Sequence, residues 1–348
     1  MDFSIFLTHV AFALFLMLIS WISTWWMVKV AILDIPNERS SHRKPTPRAG
    51  GISIVITFIV GICIIFLVAD KAQIKQQYFF GFLFSAAVMA LISFYDDIKS
   101  YSFKIKLLTH ILAIIVLLFS GIVIDAMAVP FFGVVKLGLC GYFLTFLWVL
   151  GLSNAYNFMD GIDGLAASTA VIVCAFFGWI TFHQGSHFIY IVCYTILSGA
   201  GGFWFWNRSP AKIFMGDVGS IFLGFVFACM AILADRYDLS HTSILVMPLL
   251  MLHFIFDTVF TMVRRQLAGE DITQAHRTHL YQLLVRMGLS HQEVAHWYGL
   301  LAILQGLAAV SMLELVGDMR LFIFVPFIFA YTLIAYKIIS KARSLDII

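Results

Sequence analysis

The chain has 348 residues, 61% hydrophobic and 12% charged, with 22 Lys+Arg against 19 Asp+Glu and a formal net charge of +3. That balance excludes a disordered chain and an ordinary soluble protein, and so small a net charge gives no ground for a nucleic-acid partner. Apolar runs of about twenty residues predict instead an all-α polytopic membrane protein.

In chain order, runs long enough to cross about 30 Å of hydrocarbon fall near 3–30, 51–69, 78–95, 106–122, 137–153, 165–182, 188–206, 218–234, 243–262, 297–316 and 321–340. Eleven spans put the termini on opposite sides. With the N-terminus outside and the C-terminus inside, the inner segments hold 17 of the 22 Lys and Arg residues, the direction the positive-inside bias requires. The first run has no basic residue before Lys29 and is too long for a signal-peptide core, so it is expected to stay as a span. With no repeat of fixed period and no long polar segment, residues 1–348 are expected to form a single membrane domain.

The polar residues collect at the inner ends of these runs. The first inner loop, from Asp34 to Gly51, carries Arg39, Arg43, Lys44 and Arg48 among fixed prolines; it suits an anionic-lipid anchor as well as a phosphate contact. Asp96 and Asp97 end the third run, with Lys99, Lys104 and Lys106 following. They form either a solvated cap with basic anchors or a carboxylate pair whose repulsion a cation relieves. Asn154, Asn157, Asp160 and Asp163 recur every three residues, so a helical or near-helical turn would align them on one face. The alternative is a Gly-Asn-Asp turn between two spans. In Asn207 to Ser220, Gly216 and Gly219 flank Asp217, and Arg208 and Lys212 offer cations for phosphate. A helix starting near Asp217 would favour an anion, or Asp217 is simply its N-cap.

The longest inner loop holds His276, Arg277 and His279, with His279 or Arg277 a candidate phosphate contact. Ser290 and Glu293 form a capping box, leaving His291 and His296 as surface residues. Asp257, close to the inner end of its run, reads as structural, and the five cysteines, in apolar stretches without ligand spacing, as buried hydrophobes. Pooled, these groups describe a metal-bound diphosphate site at the membrane surface. There is no GxxxxGK[ST], GxGxxG or HExxH pattern, which excludes the P-loop, dinucleotide and zinc-protease readings.

At Arg39 to Gly51, Tyr95-Asp96-Asp97 with Lys104 and Lys106, Asn154 to Gly164, Asn207 to Ser220, and the loop at Arg277, the chain resembles the polyprenyl-phosphate N-acetylhexosamine-1-phosphate transferases. These include the translocase that loads phospho-MurNAc-pentapeptide and the initiators of O-antigen and common antigen. Eleven spans, against ten in the translocase, is similar to those initiators. The resemblance implies a multi-pass protein of the bacterial inner membrane, with a periplasmic N-terminus, a cytoplasmic C-terminus and its active site at the cytoplasmic face. It implies transfer of a HexNAc-1-phosphate from a UDP-N-acetylhexosamine to undecaprenyl phosphate, with Mg²⁺ and with Mn²⁺ as an alternative ion, releasing UMP and starting a surface polysaccharide such as O-antigen. On matching residues, Asp217 is the implied metal ligand and Asp96 or Asp97 the residue nearest the lipid phosphate. Asn157, Asp160 and Asp163 form the implied second acidic wall, and Asn154 is a further substrate-binding position. Asn207 and Phe214 are the nucleotide contacts, Phe214 stacking on uracil, while Lys44, Lys104, Lys106 and Arg277 face phosphate. His279 matches the first His of the family's His-x-His motif, and Tyr281 stands where the second would be.

Two other classes compete: a transporter, which would carry its charges near the bilayer midplane in repeated halves, and a non-catalytic lipid-binding scaffold. A GxGD protease is disfavoured because Phe214 stands where Gly is needed. The amino sugar and the oligomeric state stay open, a homodimer being one option.

Overall fold

The computed structural model describes residues 3–36, 44–68, 74–99, 103–271, 274, 276–315, 317 and 319–348. Arg39 and Arg43, and the first-loop expectations that rest on them, lie outside these residues. The helices are α1 (Phe3–Val30), α2 (Ile52–Val68), α3 (Gln76–Lys99), α4 (Phe103–Phe119), α5 (Leu139–Met159), α6 (Leu165–His183), α7 (Ile189–Asn207), α8 (Asp217–Arg236), α9 (Val246–Leu250), α10 (Leu252–Leu267), α11 (Leu280–Arg286), α12 (His291–Ser311) and α13 (Phe324–Ser344). Among the described residues, eight helices are long and apolar enough to cross a bilayer. Every expected run is helical, but α2 and α4 have 17 residues each, about 26 Å of helix. The ninth run is divided at Met251 between α9 and α10.

The bundle is built around α8. Every residue from Val218 to Ala234 is buried, as expected of a helix apolar on all sides, and α2, α3, α5, α6, α7 and α9 pack on it. Small residues allow the closest approaches, since apolar side chains gain little by leaving lipid and tight packing must supply the attraction. A Cβ on Gly224 of α8 would stand 2.7 Å from the Ser153 Cα of α5, and one on Gly51 would stand 2.3 Å from the Gly219 Cα. The second contact binds the start of α2 to the start of α8, where the polar residues gather.

α10 is inverted relative to a soluble amphipathic helix. Asp257, Thr261 and Arg265, one turn apart, are buried, whereas Val259, Val263 and Leu267 are exposed. The polar stripe faces protein and the apolar stripe faces outward, so this segment differs from the plain span expected over 243–262. The fold is all-α as expected, with two short strand pairs in its loops: β1 (Leu33–Asp34) pairs with β2 (Thr46–Pro47), and β3 (Ala126–Val129) forms a hairpin with β4 (Gly133–Lys136) between α4 and α5. All five cysteines are free; Cys174, Cys193 and Cys229 are buried as expected, but Cys63 and Cys140 are exposed on the outside of the bundle.

Candidate active site

The N-terminus of α8 is where the candidate residues meet. Gly216, at φ 74°, turns the chain into the helix, a conformation that favours glycine. The first backbone donors are capped by a residue of another helix: the Asp217 N–H donates to Asp97 Oδ1 (3.1 Å) and the Val218 N–H to Asp97 Oδ2 (3.0 Å). The anion expected at this helix start is therefore Asp97 of α3. Asp217 is the first helical residue and not the N-cap, and its side chain turns into the site. It accepts from Lys106 Nζ (2.9 Å) and from Asn157 Nδ2 (2.9 Å). Lys106 also pairs with Asp96, and Asn157 also donates to Ser220 Oγ (2.8 Å). Three helices, α3, α4 and α5, thus converge on the start of a fourth.

The first loop closes over this point by backbone pairing. The Phe214 N–H donates to the Pro47 carbonyl (2.8 Å), while Gly50 and Gly51 donate to the carbonyls of Phe214 (2.9 Å) and Met215 (2.8 Å). Phe214 is half-buried in that seam. Lys44 and Lys104 are exposed, whereas Lys106 is half-buried, so only Lys106 of the expected lysines reaches the carboxylates by a described contact. His110, buried one turn along α4, feels the Asp217 charge; its spacing from Lys106 was the available signal for it.

The period-three alignment of Asn154, Asn157, Asp160 and Asp163 does not survive in the fold. α5 stops at Met159 and the chain enters a turn closed by Gly164 at φ 77°. Asn154 donates back to the Leu150 carbonyl of its own helix (2.7 Å). Asp160 is half-buried at the C-cap; burial, followed by the charges of Asp217, Asp97 and Asp163, pushes its carboxyl well above the usual carboxylate range. Negative charge here exceeds what Lys106 supplies. Asp163 turns away and accepts the Ala211 N–H (3.1 Å) beside His291 Nδ1 (3.3 Å). His291 is consequently a partner of the turn, half-buried, and not the surface residue its capping box suggested; His296 is exposed as expected. Asn207, buried, accepts the Gly164 N–H (3.0 Å) and donates to the Ile213 carbonyl (3.0 Å), clamping the two loops together.

The remaining wall is built by Asp257. Its carboxylate accepts the Leu280 N–H (2.8 Å), the Tyr281 N–H (3.1 Å) and the Tyr298 hydroxyl (2.7 Å), and lies 3.3 Å from His279 Nδ1. It caps α11 from α10, as Asp97 caps α8 from α3. His279 is buried and stacks on Phe158 with centroids 5.9 Å apart. The Tyr281 hydroxyl donates to the Phe158 carbonyl (2.9 Å), tying α11 to the end of α5. Against Gly161 the phenol leaves no room for a side chain, since a Cβ there would stand 1.9 Å from its oxygen. Burial, then the charges of His279, Arg265 and Arg264, pushes the nearby His276 down to about 4. Arg277, half-buried, accepts at its carbonyl from Arg286 Nη1 (3.2 Å).

Among the described residues no three His, Cys, Asp or Glu groups stand close enough together to hold a metal unaided. The donor set nonetheless suits Mg²⁺, which binds through one or two carboxylates and completes its shell with water and substrate phosphate. Asp217, Asp160 and the Asn157 amide offer oxygen, and no thiolate lies among them.

A family model described as glycosyl transferase family 4 matches residues 79–235, the stretch from α3 through α8. A probable undecaprenyl-phosphate N-acetylglucosaminyl 1-phosphate transferase of Bacillus subtilis (strain 168) is 32% identical over 267 residues, covering 76% of this chain and 73% of that one. A decaprenyl-phosphate N-acetylglucosaminephosphotransferase of Mycolicibacterium smegmatis is 29% identical over 324 residues, covering 82% and 78%. A phospho-N-acetylmuramoyl-pentapeptide-transferase of Streptococcus suis (strain 05ZYH33) is 33% identical over 245 residues, covering 67% and 73%.

Proposed function

Because this chain belongs to the polyprenyl-phosphate N-acetylhexosamine-1-phosphate transferase family, we propose that it transfers a HexNAc-1-phosphate from a UDP-N-acetylhexosamine to undecaprenyl phosphate. The products are undecaprenyl-diphosphate-sugar and UMP, and the step starts a surface polysaccharide such as O-antigen. The observation that carries this proposal is the meeting of Asp97, Lys106 and Asn157 on Asp217 at one end of an apolar bundle. The Lys and Arg bias supports putting that end at the cytoplasmic face, where a soluble UDP-sugar and a membrane-held phosphate can both reach it.

An oxygen of the lipid phosphate forms the new bond to the β-phosphorus, and the bond from that phosphorus to the bridging oxygen breaks as UMP departs. A phosphate monoester has a second pKa near 6, so the attacking group is mostly dianionic at neutral pH and needs no strong base. Asp97, with both oxygens accepting backbone N–H groups, is better suited to holding Asp217 in place than to taking a proton. Lys106 brings positive charge between Asp96 and Asp217, beside the transferring group. Asp217, with Asn157 and Asp160, would hold Mg²⁺, or Mn²⁺ in its place, and the chemistry such an ion would supply there is charge neutralisation on the diphosphate. Phe214 would stack on uracil, and His279 with Arg277 would meet the diphosphate from the opposite wall.

The test is UMP release by the purified protein given undecaprenyl phosphate, Mg²⁺ and a panel of UDP-amino sugars. Lipid-dependent release from one sugar, lost in Asp217→Asn, is expected; folded protein that releases UMP from none of them would overturn the proposal.

A further inference from the structure

A cavity of about 700 Å³ opens at the Asp163–Gly164 end of the turn that follows α5, between α6, α7 and α12. Its lining includes Asp163 but none of Asp96, Asp97, Lys106, Asn157, Asp160 or Asp217. The mouth is cationic and aromatic. Arg208 and Lys212 line it and are exposed, the Arg208 guanidinium 5.7 Å from the Trp204 ring and the Lys212 ammonium 5.1 Å over Trp206. Arg208 and Lys212 therefore lie on the wall facing away from Asp217, although their place in the sequence had suggested cations for the diphosphate.

Behind the mouth the cavity follows the helices. Along α6 it is lined from Gly164 to Ile172, and along α12 from Gln292 to Ile303, rises of about 12 and 16 Å at 1.5 Å per residue. Gly299 makes the room, since a Cβ there would meet only Ile172 Cδ1, at 3.7 Å. Asp163, the acidic residue among those lining it, is engaged by His291 and the Ala211 N–H, and the two cations outnumber it. Two cations and tryptophans at the level of a helix end, with an apolar slot running along the span behind them, are complementary to an anionic headgroup carrying a hydrocarbon tail. A nucleotide has no group to fill that slot.

We propose that this cavity holds one anionic membrane phospholipid, its phosphodiester between Arg208 and Lys212 and one acyl chain between α6 and α12. The site is separate from the transferase chemistry and does not depend on it. The test uses the full chain in phosphatidylcholine nanodiscs with and without phosphatidylglycerol, reading lipid retained by native mass spectrometry and the melting temperature. Wild type is expected to keep one phosphatidylglycerol per chain in preference to phosphatidylcholine and to melt higher with it. Removing both charges in Arg208→Gln/Lys212→Gln should weaken retention roughly thirtyfold, from about 1 kcal/mol per cation near an anionic surface. Gly299→Leu, which fills the slot and leaves the charges, should lose retention as well, while Lys136→Gln at the far end should not. Equal retention of both lipids by wild type, or undiminished retention by the double variant, would overturn the proposal. So would displacement of the lipid by a UDP-sugar or by undecaprenyl phosphate, which would assign the cavity to a substrate.

Discussion

Asp97→Asn separates a positioning role from a proton-accepting one. In the native site the two carboxylate oxygens take the Asp217 and Val218 N–H groups at 3.1 and 3.0 Å. Asparagine keeps one oxygen and turns an amide N–H toward the other donor. The space is tight, for a Cβ on Gly216 would stand 2.6 Å from Asp97 Oδ2, so water cannot readily take the lost acceptor's place. A stranded buried donor costs about 1–3 kcal/mol, and losing a negative charge at a helix start adds up to about 1 kcal/mol. At about 2–4 °C per kcal/mol for a large domain, the detergent-solubilised variant should melt roughly 2–16 °C below wild type. UMP release should fall with it because Asp217 is no longer held, while the shape of the pH–rate profile stays the same. Asp96→Asn, which loosens the ion pair of this buried carboxylate with Lys106, should lower both the melting temperature and the activity. An Asp97→Asn protein that melts with wild type, loses a thousandfold or more in rate and loses one limb of the pH profile would refute the capping role and make Asp97 the base.

Gly51→Ala places a Cβ against the Gly219 backbone at 2.3 Å, where neither helix yields easily, and should cost about 1–3 kcal/mol and reduce transfer as the first loop lifts off Met215; unchanged melting would mean that α2 and α8 slide freely. Asp257→Asn strands the Tyr281 N–H, an expected loss of about 1–3 kcal/mol, and should release His279 from Phe158, seen as faster proteolysis within 276–279 together with lower activity. The Asp163–His291 contact gives a pH-dependent stability. Burial pushes the Asp163 carboxyl up, but the His291 hydrogen bond and charge, with the Ala211 N–H and Ser209, outweigh it and hold the carboxyl below its usual range. The sign follows: a depressed folded pKa stabilises above the unfolded value of about 3.9 and loses that contribution as pH falls through the folded one. His291→Gln should therefore lower the melting temperature at neutral pH, with the deficit closing as the buffer is taken below about pH 4; a deficit that persists there would show that His291 acts through packing alone.

Much of the site was legible because polar residues in so apolar a chain must gather where helices end, and Asp96, Asp97 and Asp217 stand at such ends. What was not legible depends on register between helices. Which helix start Asp97 would cap is decided by how α3 lies against α8, and only packing sets that. The regular spacing of Asn154 to Asp163 was misleading because the glycines at 161 and 164 end the helix in its middle. The alternation of buried polar and exposed apolar positions in α10 was present in the sequence but was hidden within a long apolar run. Asp257, taken as structural, is structural in an active sense: it fixes His279 and the Tyr281 backbone, and Tyr281 in turn reaches α5 through its hydroxyl. The β3–β4 hairpin lay in a gap between spans, where only its short Val-rich stretches marked it.

The complete burial of α8 also bears on how the protein is made. During synthesis α8 leaves the ribosome after α2, α3, α5, α6 and α7, so all of its wall except α9 is already made when it arrives. Being apolar on every face, it is able to enter lipid alone and then exchange acyl chains for protein at little cost. The moment it does so, Asp97 gains its two donors and Lys106 its second carboxylate, and the acidic half of the site is complete with more than a hundred residues still to come. His279 and its Asp257 support arrive on the last helices. A nascent chain halted beyond α8 should thus already possess the pocket's charged floor while lacking the wall that closes it, making assembly of this enzyme a matter of birth order as much as of final contacts.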